Sequence, residues 1–220
     1  MKKSELFCAA FWRKLQPVGK YGWAAVFTKE TLWDIIGQNF MEEKMDIAQI
    51  DKLPAAERFS KRVILKVSKI IKVEQHPGGS FLYILTLDCG EEEPRQIVSS
   101  IVPFYKPEEL LNKNIVLVYN LKPANFRGVR SNGMLLAASK AEESEEETCE
   151  VIFAPQFEPG TVLEPEGFEP PEEKLCYVKP DTFFEMELYT KDGFVELDGK
   201  KIGADGKYLT VEVYKNGKVG

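Results

Sequence analysis

The sequence predicts a mainly β protein: a small barrel set between a helical N-terminal segment and a β-rich C-terminal extension. Three observations carry that expectation. From residue 62 onward the chain breaks into short runs rich in β-branched residues, separated by turn signals. A single helix-like stretch, Lys106-Pro-Glu-Glu-Leu-Leu, interrupts those runs. On either side the pattern changes, to helical apolar spacing before residue 62 and to a proline- and glycine-punctuated connector after residue 155. The expected segments are therefore 1–61, 62–155 and 156–220.

In the first segment the apolar run from Leu6 to Trp12 is cut short by Arg13 and Lys14, too short for a secretory signal with its cleavage site, and is read as part of a helix. No stretch approaches the roughly 20 apolar residues that cross a bilayer. Trp33, Ile36 and Phe40 lie at helical spacing, which predicts a helix from Glu30 to Met45 capped by Thr28 or Thr31. Pro54 opens a second short helix to Phe59, with Glu57 near its positive end. The segment either packs on its own protein or holds a partner. The barrel strands are expected at Val63–Val67, Ile70–Glu74, Phe81–Leu87, Gln96–Ile101, Ile115–Asn120 and Met134–Ser139, with turns at His76-Pro-Gly-Gly-Ser, Asp88-Cys-Gly-Glu, Lys122-Pro-Ala and Ser131-Asn-Gly. An OB-fold is a five-stranded barrel of this kind, and its face and loops commonly bind nucleic acids, although other small barrels share the pattern. Glu142–Glu150 is an acidic solvated loop. The last segment predicts strands at Phe183–Tyr189, Gly193–Leu197 and Tyr208–Tyr214, joined by Lys191-Asp-Gly and Asp198-Gly-Lys turns.

Charge locates a surface. The chain carries 29 Lys and Arg against 35 Asp and Glu, a formal charge of -6, which argues against a whole-protein embrace of nucleic acid. The sum conceals an asymmetry: +2 over residues 1–61, +4 over 62–140 and -12 over 141–220. A phosphate backbone is drawn to the middle and repelled by the tail. The cysteines, Cys8, Cys89, Cys149 and Cys176, form no C-x-x-C pair and have only His76 as an imidazole companion, so neither a metal site nor a cofactor site is expected. Unpaired thiols fit a reducing cytoplasm.

The most informative run is Asn120-Leu-Lys-Pro-Ala-Asn-Phe-Arg-Gly-Val-Arg-Ser-Asn-Gly-Met-Leu-Leu-Ala-Ala. Lys122, Arg127 and Arg130 offer charge to phosphates. Asn120, Ser131 and Asn132 offer hydrogen bonds to a ribose 2′-hydroxyl or a base edge, and Met134 an apolar surface for a base. Gly128 and Gly133 permit positive φ or a close backbone approach. The bland alternative is that Asn120 and Ser131 satisfy turn backbone groups and the cations are merely solvated. Lys66, Lys69, Lys72 and Arg95 are further candidates by charge and place in the barrel.

This run resembles the N-L-K-P-A-x-x-R-G-x-x-S-x-G-M signature of the EMAP II-like tRNA-binding domain. Lys69-Ile-Ile-Lys-Val-Glu-Gln-His-Pro, Leu82-Tyr-Ile-Leu and Gly90-Glu-Glu-Glu-Pro-Arg-Gln-Ile-Val-Ser resemble its first strand and loop, its second strand and the hairpin after it. The resemblance implies an OB-fold that holds tRNA near its elbow or outer anticodon stem without reading sequence, through Asn120, Lys122, Arg127, Ser131 and Met134. Such modules occur as free tRNA-binding proteins, at the C-terminus of methionyl-tRNA synthetases or as their β chains, and in multi-synthetase accessory proteins. Two positions depart from the pattern. His76-Pro-Gly-Gly-Ser-Phe-Leu-Tyr stands where the family has His-Pro-Asp-Ala-Asp-Ser-Leu-Tyr, losing two carboxylates, and Ser100 replaces a common glycine. From Lys179-Pro-Asp onward the chain resembles the EMAP II-type extension, which implies a monomer whose extension covers the surface that simpler relatives use to dimerise.

No nucleotide-binding glycine loop, no H-I-G-H or K-M-S-K-S signature and no Ser/His/Asp set with a second histidine is present, so catalysis is not expected. The expected function is non-catalytic tRNA binding that assists an aminoacyl-tRNA synthetase, methionyl for choice, in cis or in trans, away from membranes. The alternative is a scaffold that recruits a synthetase and binds RNA weakly.

Overall fold

The computed structural model describes residues 49–140, 149–170 and 176–220, together with the backbone of two short strands near the N-terminus. The chain divides into two units, Met1–Lys52 and Leu53–Gly220. In the first, β1 (Gln16–Pro17) pairs antiparallel with β2 (Trp23–Ala24). The helices expected at Leu6–Trp12 and Glu30–Met45 lie outside the described residues.

The second unit opens with α1 (Ala55–Arg62), which runs three residues past the predicted end at Phe59. Pro54 stands in extended conformation just before it, Glu57 lies in its first turn and Lys61 and Arg62 in its last, all matched to the helix dipole. Phe59 is its buried anchor. The barrel follows as β3 (Leu65–Gln75), β4 (Tyr83–Asp88), β5 (Arg95–Ser99), the short helix α2 (Pro107–Leu110), β6 (Asn114–Val118), β7 (Ala124–Phe126), β8 (Val129–Ser131), β9 (Met134–Leu135), β10 (Ala137–Lys140) and β11 (Glu150–Val151). The runs expected at 63–67 and 70–74 are one strand, bent by a register shift between Ile70 and Lys72, which lets β3 pair with β6 at one end and β4 at the other. Five-stranded connectivity with a helix between the third and fourth strands makes this an OB-fold.

The extension supplies β12 (Val162–Pro165), α3 (Pro180–Phe184), β13 (Tyr189–Lys191), β14 (Phe194–Leu197), β15 (Lys200–Ala204), β16 (Lys207–Tyr208) and β17 (Gly217–Val219). Two expected strands are corrected here. Residues 183–189 are not a strand: Pro180 starts a helix, Phe183 drops into the core, and Glu187 turns at positive φ before β13 begins. The run 208–214 pairs at Tyr208 with β15 and at Thr210 through a bridge to Phe194, and beyond that the Glu150 carboxylate accepts the backbone N–H groups of Glu212, Val213 and Tyr214 at 2.7–3.1 Å and holds that segment in a bend. The extension is stitched into the barrel by β12 against β3 (Leu163↔Leu65) and β17 against β10 (Ala138↔Val219).

Two apolar clusters result. Ile70, Leu85, Leu87, Ile97, Ile115 and Leu117 fill the barrel. On the other face of the same strands Leu65, Val67, Val116 and Val118 pack with α1 and with Leu163, Phe183, Leu188, Val195 and Ile202 of the extension. Both faces of β6 are therefore dry, which explains its unbroken apolar run Ile115–Val118. Cys89 lies in the first cluster with the Ser68 hydroxyl donating to its Sγ at 3.3 Å, and burial pushes its thiol pKa up; the same cause pushes Cys149 up to about 11, leaving both as inert thiols.

One group in the second cluster runs against its surroundings. Glu164 on β12 is 4% exposed, and neither carboxylate oxygen has a hydrogen-bond partner among the described residues. Burial raises its pKa from 4.5 to about 7, with the nearby Ser60 hydroxyl opposing the shift and Glu169 adding repulsion. In the fold it keeps its proton while the unfolded chain ionises, so stability is greatest at low pH and falls as pH rises from about 4.5 to about 7. Glu164→Gln should remove that fall: urea unfolding at pH 8 should show a gain on the order of 2 kcal/mol over the parent, and at pH 5 little difference. Equal effects at both values would place the ionisation elsewhere.

Candidate nucleic-acid interface

The run singled out above leaves β6, crosses to the β7–β8 hairpin and re-enters the barrel at β9. Its first anchor is Asn120, buried at 4% exposure. The Asn120 Oδ1 accepts the Ile64 N–H at 2.9 Å, while its Nδ2 donates to the carbonyls of Arg62 at 2.8 Å and Cys176 at 2.9 Å. One amide thus ties the end of α1, the start of β3 and the extension to the start of the loop. The backbone continues the bond, with Lys122 N–H donating to the Val178 carbonyl at 2.8 Å, so the extension sets where exposed Lys122 stands.

The second anchor is Ser131, 2% exposed, whose hydroxyl accepts the Val98 N–H and donates to the Gly133 carbonyl, each at 2.9 Å. It closes the barrel between β5 and β8. Gly133 takes φ 151, and a Cβ there would lie 2.9 Å from Leu117 Cδ1 and 3.0 Å from the Val118 carbonyl, so only glycine fits against β6. Asn120 and Ser131, both sequence candidates for RNA contact, are interior groups satisfied by backbone, and their amide and hydroxyl are not presented to solvent.

Between the anchors the hairpin projects outward. Arg127 at φ 46 and Gly128 at φ 92 form a two-residue turn with positive φ at both positions, the geometry that matches the twist of a hairpin. Arg127 Nη1 donates to the Gly78 carbonyl of the β3–β4 loop. His76, 2% exposed, completes the junction: its Nδ1 accepts the Gly78 N–H at 2.9 Å, which leaves Nε2 to donate to the Phe126 carbonyl at 2.9 Å. The only histidine of the chain is therefore a clasp between loop and hairpin. Arg130 is exposed, and its Nε donates to Asn132 Oδ1 at 3.0 Å. Gln96 holds the Arg130 carbonyl at 2.7 Å. Met134 is half-buried against the second cluster.

The remaining cations divide. Lys72 is exposed on β3 beside Glu74 at 3.0 Å and stands in register with Thr86, which is in register with Gln96, so one row crosses the outer face toward the hairpin. Lys69 is half-exposed on the same strand. Lys66 and Arg95 are engaged inward. Lys66 Nζ lies 3.3 Å from Glu91 and 4.4 Å from the Tyr119 ring centre, and Arg95 stacks on the same ring at 3.8 Å while donating to the Asn132 carbonyl at 2.9 Å. Partial burial works against the Glu91 carboxylate, but the Tyr119 hydroxyl and the charges of Lys66 and Arg95 hold its pKa below the ordinary value. These two cations brace the hairpin's base. Ser100 does not take a positive φ, so the serine at this position carries no backbone strain. Two exposed rings at the junction of the β3–β4 loop and the hairpin were not among the sequence candidates: Phe81, 66% exposed, and Phe126, 40% exposed.

Comparison with known proteins places the segment. The model of the family described as "Putative tRNA binding domain" matches residues 65–161. The methionine–tRNA ligase of Treponema denticola is 42% identical over 179 residues, which cover 77% of this chain and 23% of the ligase. That of Borrelia hermsii is 33% identical over 192 residues, 83% of this chain and 25% of the ligase. The chain thus spans about a quarter of the length of these ligases. Among solved structures the C-terminal domain of Plasmodium vivax p43 superposes with TM-score 0.63 at 26% identity, covering 73% of this chain and 98% of that domain, a span wider than the family segment. No helix among the described residues is long and apolar enough to cross a membrane.

Proposed function

We propose, from the match of residues 65–161 to the family described as "Putative tRNA binding domain", that this chain holds the body of tRNA on the barrel's outer face and contributes no chemistry of its own. The observation that carries the reading is the braced hairpin: Lys122, Arg127 and Arg130 project from a loop fixed at both ends by buried Asn120 and Ser131. Cations on a rigid scaffold lose little freedom when they meet phosphates. Asn132, Met134, Lys69 and Lys72 extend that surface, whereas Lys66 and Arg95 support it from behind. Phosphate contacts position and do not read bases, which suits binding by shape.

By the likeness to methionine–tRNA ligases, the partner enzyme is a methionyl-tRNA synthetase in the cytoplasm, joined in cis or met in trans, and the module raises the local tRNA concentration beside it. The domain limits proposed are 62–155 for the barrel and 156–220 for an extension that packs where a second copy would otherwise sit, giving a monomer. In filter binding with unfractionated tRNA, affinity should fall steeply as salt rises, with a slope of about 0.7–0.9 per phosphate engaged. Undetectable or salt-insensitive binding would refute it.

A further inference from the structure

The β3–β4 loop presents a bare aromatic ring from a stiff mount. Gln75 Nε2 donates to the carbonyls of Gly79, Ser80 and Leu82 at 3.1–3.2 Å, so one amide gathers the whole loop beneath Phe81. The backbone closes it again, His76 N–H to Leu82 at 3.0 Å and Leu82 N–H to Gly79 at 3.2 Å. Yet the Phe81 ring is 66% exposed, and the stretch Pro77-Gly78-Gly79-Ser80-Phe81 contains no carboxylate to repel an anion. Across the junction made by His76 and Arg127, Phe126 exposes a second ring one residue before the Arg127 turn. Two exposed phenyl rings on clasped elements, with Arg127 at their junction, combine an apolar platform with phosphate-binding charge.

Neither ring helps the barrel core, and neither can serve a phosphate. A nucleobase freed from its stack offers the matching surface: a flat π-face whose sugar-phosphate lies within reach of neighbouring cations, the combination that single-stranded nucleic-acid sites use. We propose that Phe81 and Phe126 are stacking platforms for unpaired bases, so that the face prefers RNA carrying unstacked nucleotides next to a helix over a plain duplex. The proposal rests on the tRNA reading and deepens it by naming the feature of the RNA that the site selects.

The test uses the full chain with two ligands at one fixed salt concentration, unfractionated tRNA and a blunt-ended RNA duplex lacking unpaired bases. Phe81→Ala and the double variant Phe81→Ala/Phe126→Ala are compared with the parent, each checked for an unchanged melting temperature. The double variant should bind tRNA about tenfold more weakly with its salt slope unaltered, because stacking releases no counterions, and its duplex binding should not move. Phe81→Trp should retain parent affinity. If Phe126→Ala disturbs the hairpin, Phe81→Ala alone decides, with a severalfold loss confined to tRNA. Unchanged tRNA binding, or an equal loss for both ligands, overturns the stacking role. Parent protein that binds neither ligand overturns the tRNA reading instead.

Discussion

Replacing Lys122 and Arg130 together with glutamate is expected to weaken tRNA binding by about two orders of magnitude at moderate salt, and to flatten the salt dependence by about two phosphate contacts. Both side chains are exposed, on segments whose backbone is fixed by Val178 and by Gln96. The substitutions therefore change charge without changing architecture. Reversal goes beyond removal, because a carboxylate beside a phosphate adds repulsion to the lost attraction. Folding stability should stay within about 0.5 kcal/mol of the parent, as is usual for exposed positions. Equilibrium binding across a salt series, with a thermal melt as control, measures both. Parent-like affinity in a folded variant would move the contact surface off this hairpin.

Asn120→Asp is expected to cost about 3 kcal/mol or more at neutral pH while changing the side chain's size hardly at all. Its amide donates to two carbonyl oxygens at 2.8 and 2.9 Å, and a carboxylate there would face both with negative charge in a dry site. A protonated carboxyl restores one donor, so its pKa should rise and part of the loss should be recovered as pH falls toward 5, a direction opposite to ordinary acid denaturation. Chemical denaturation at pH 5 and pH 8 would show it. A loss below about 1 kcal/mol at both values would mean that the three-way junction is not held by this residue.

How much of this was legible in the sequence depended on whether a residue's environment was local. The strands at 65–75, 83–88, 95–99, 114–118 and 134–140 and the short helix at Pro107 follow from runs and turns that are complete within a few residues and stand near where the sequence predicts them, whereas the β7–β8 hairpin falls where the sequence predicts a loop. The bend that makes one strand of 65–75, and the clamp that Glu150 places on residues 212–214, depend on partners far along the chain. Hydrophobic alternation alone therefore misread residues 183–189, where a proline start and a buried Phe183 make a helix. At the site, composition identified the loop but not the division of labour within it. Asn120 and Ser131 have the chemistry of RNA contacts and the burial of braces, and both readings were open until the partners of their polar atoms were known. Exposed rings such as Phe81 carry no motif. The signal that points to it is a large apolar residue in a loop otherwise made of Pro, Gly and Ser.

The stitching of the extension into the barrel also dictates the order in which the fold can be assembled. Leu65 must find Leu163, and Ala138 must find Val219, closures across long stretches of chain that form slowly compared with the hairpins β3–β4 and β4–β5. During that interval the first-formed barrel displays Leu65, Val67, Val116 and Val118 to water, side chains that are wholly dry once the extension arrives. A transient species with that apolar strip is a nucleus for self-association, so refolding yield should depend on protein concentration even though the finished molecule hides the strip completely.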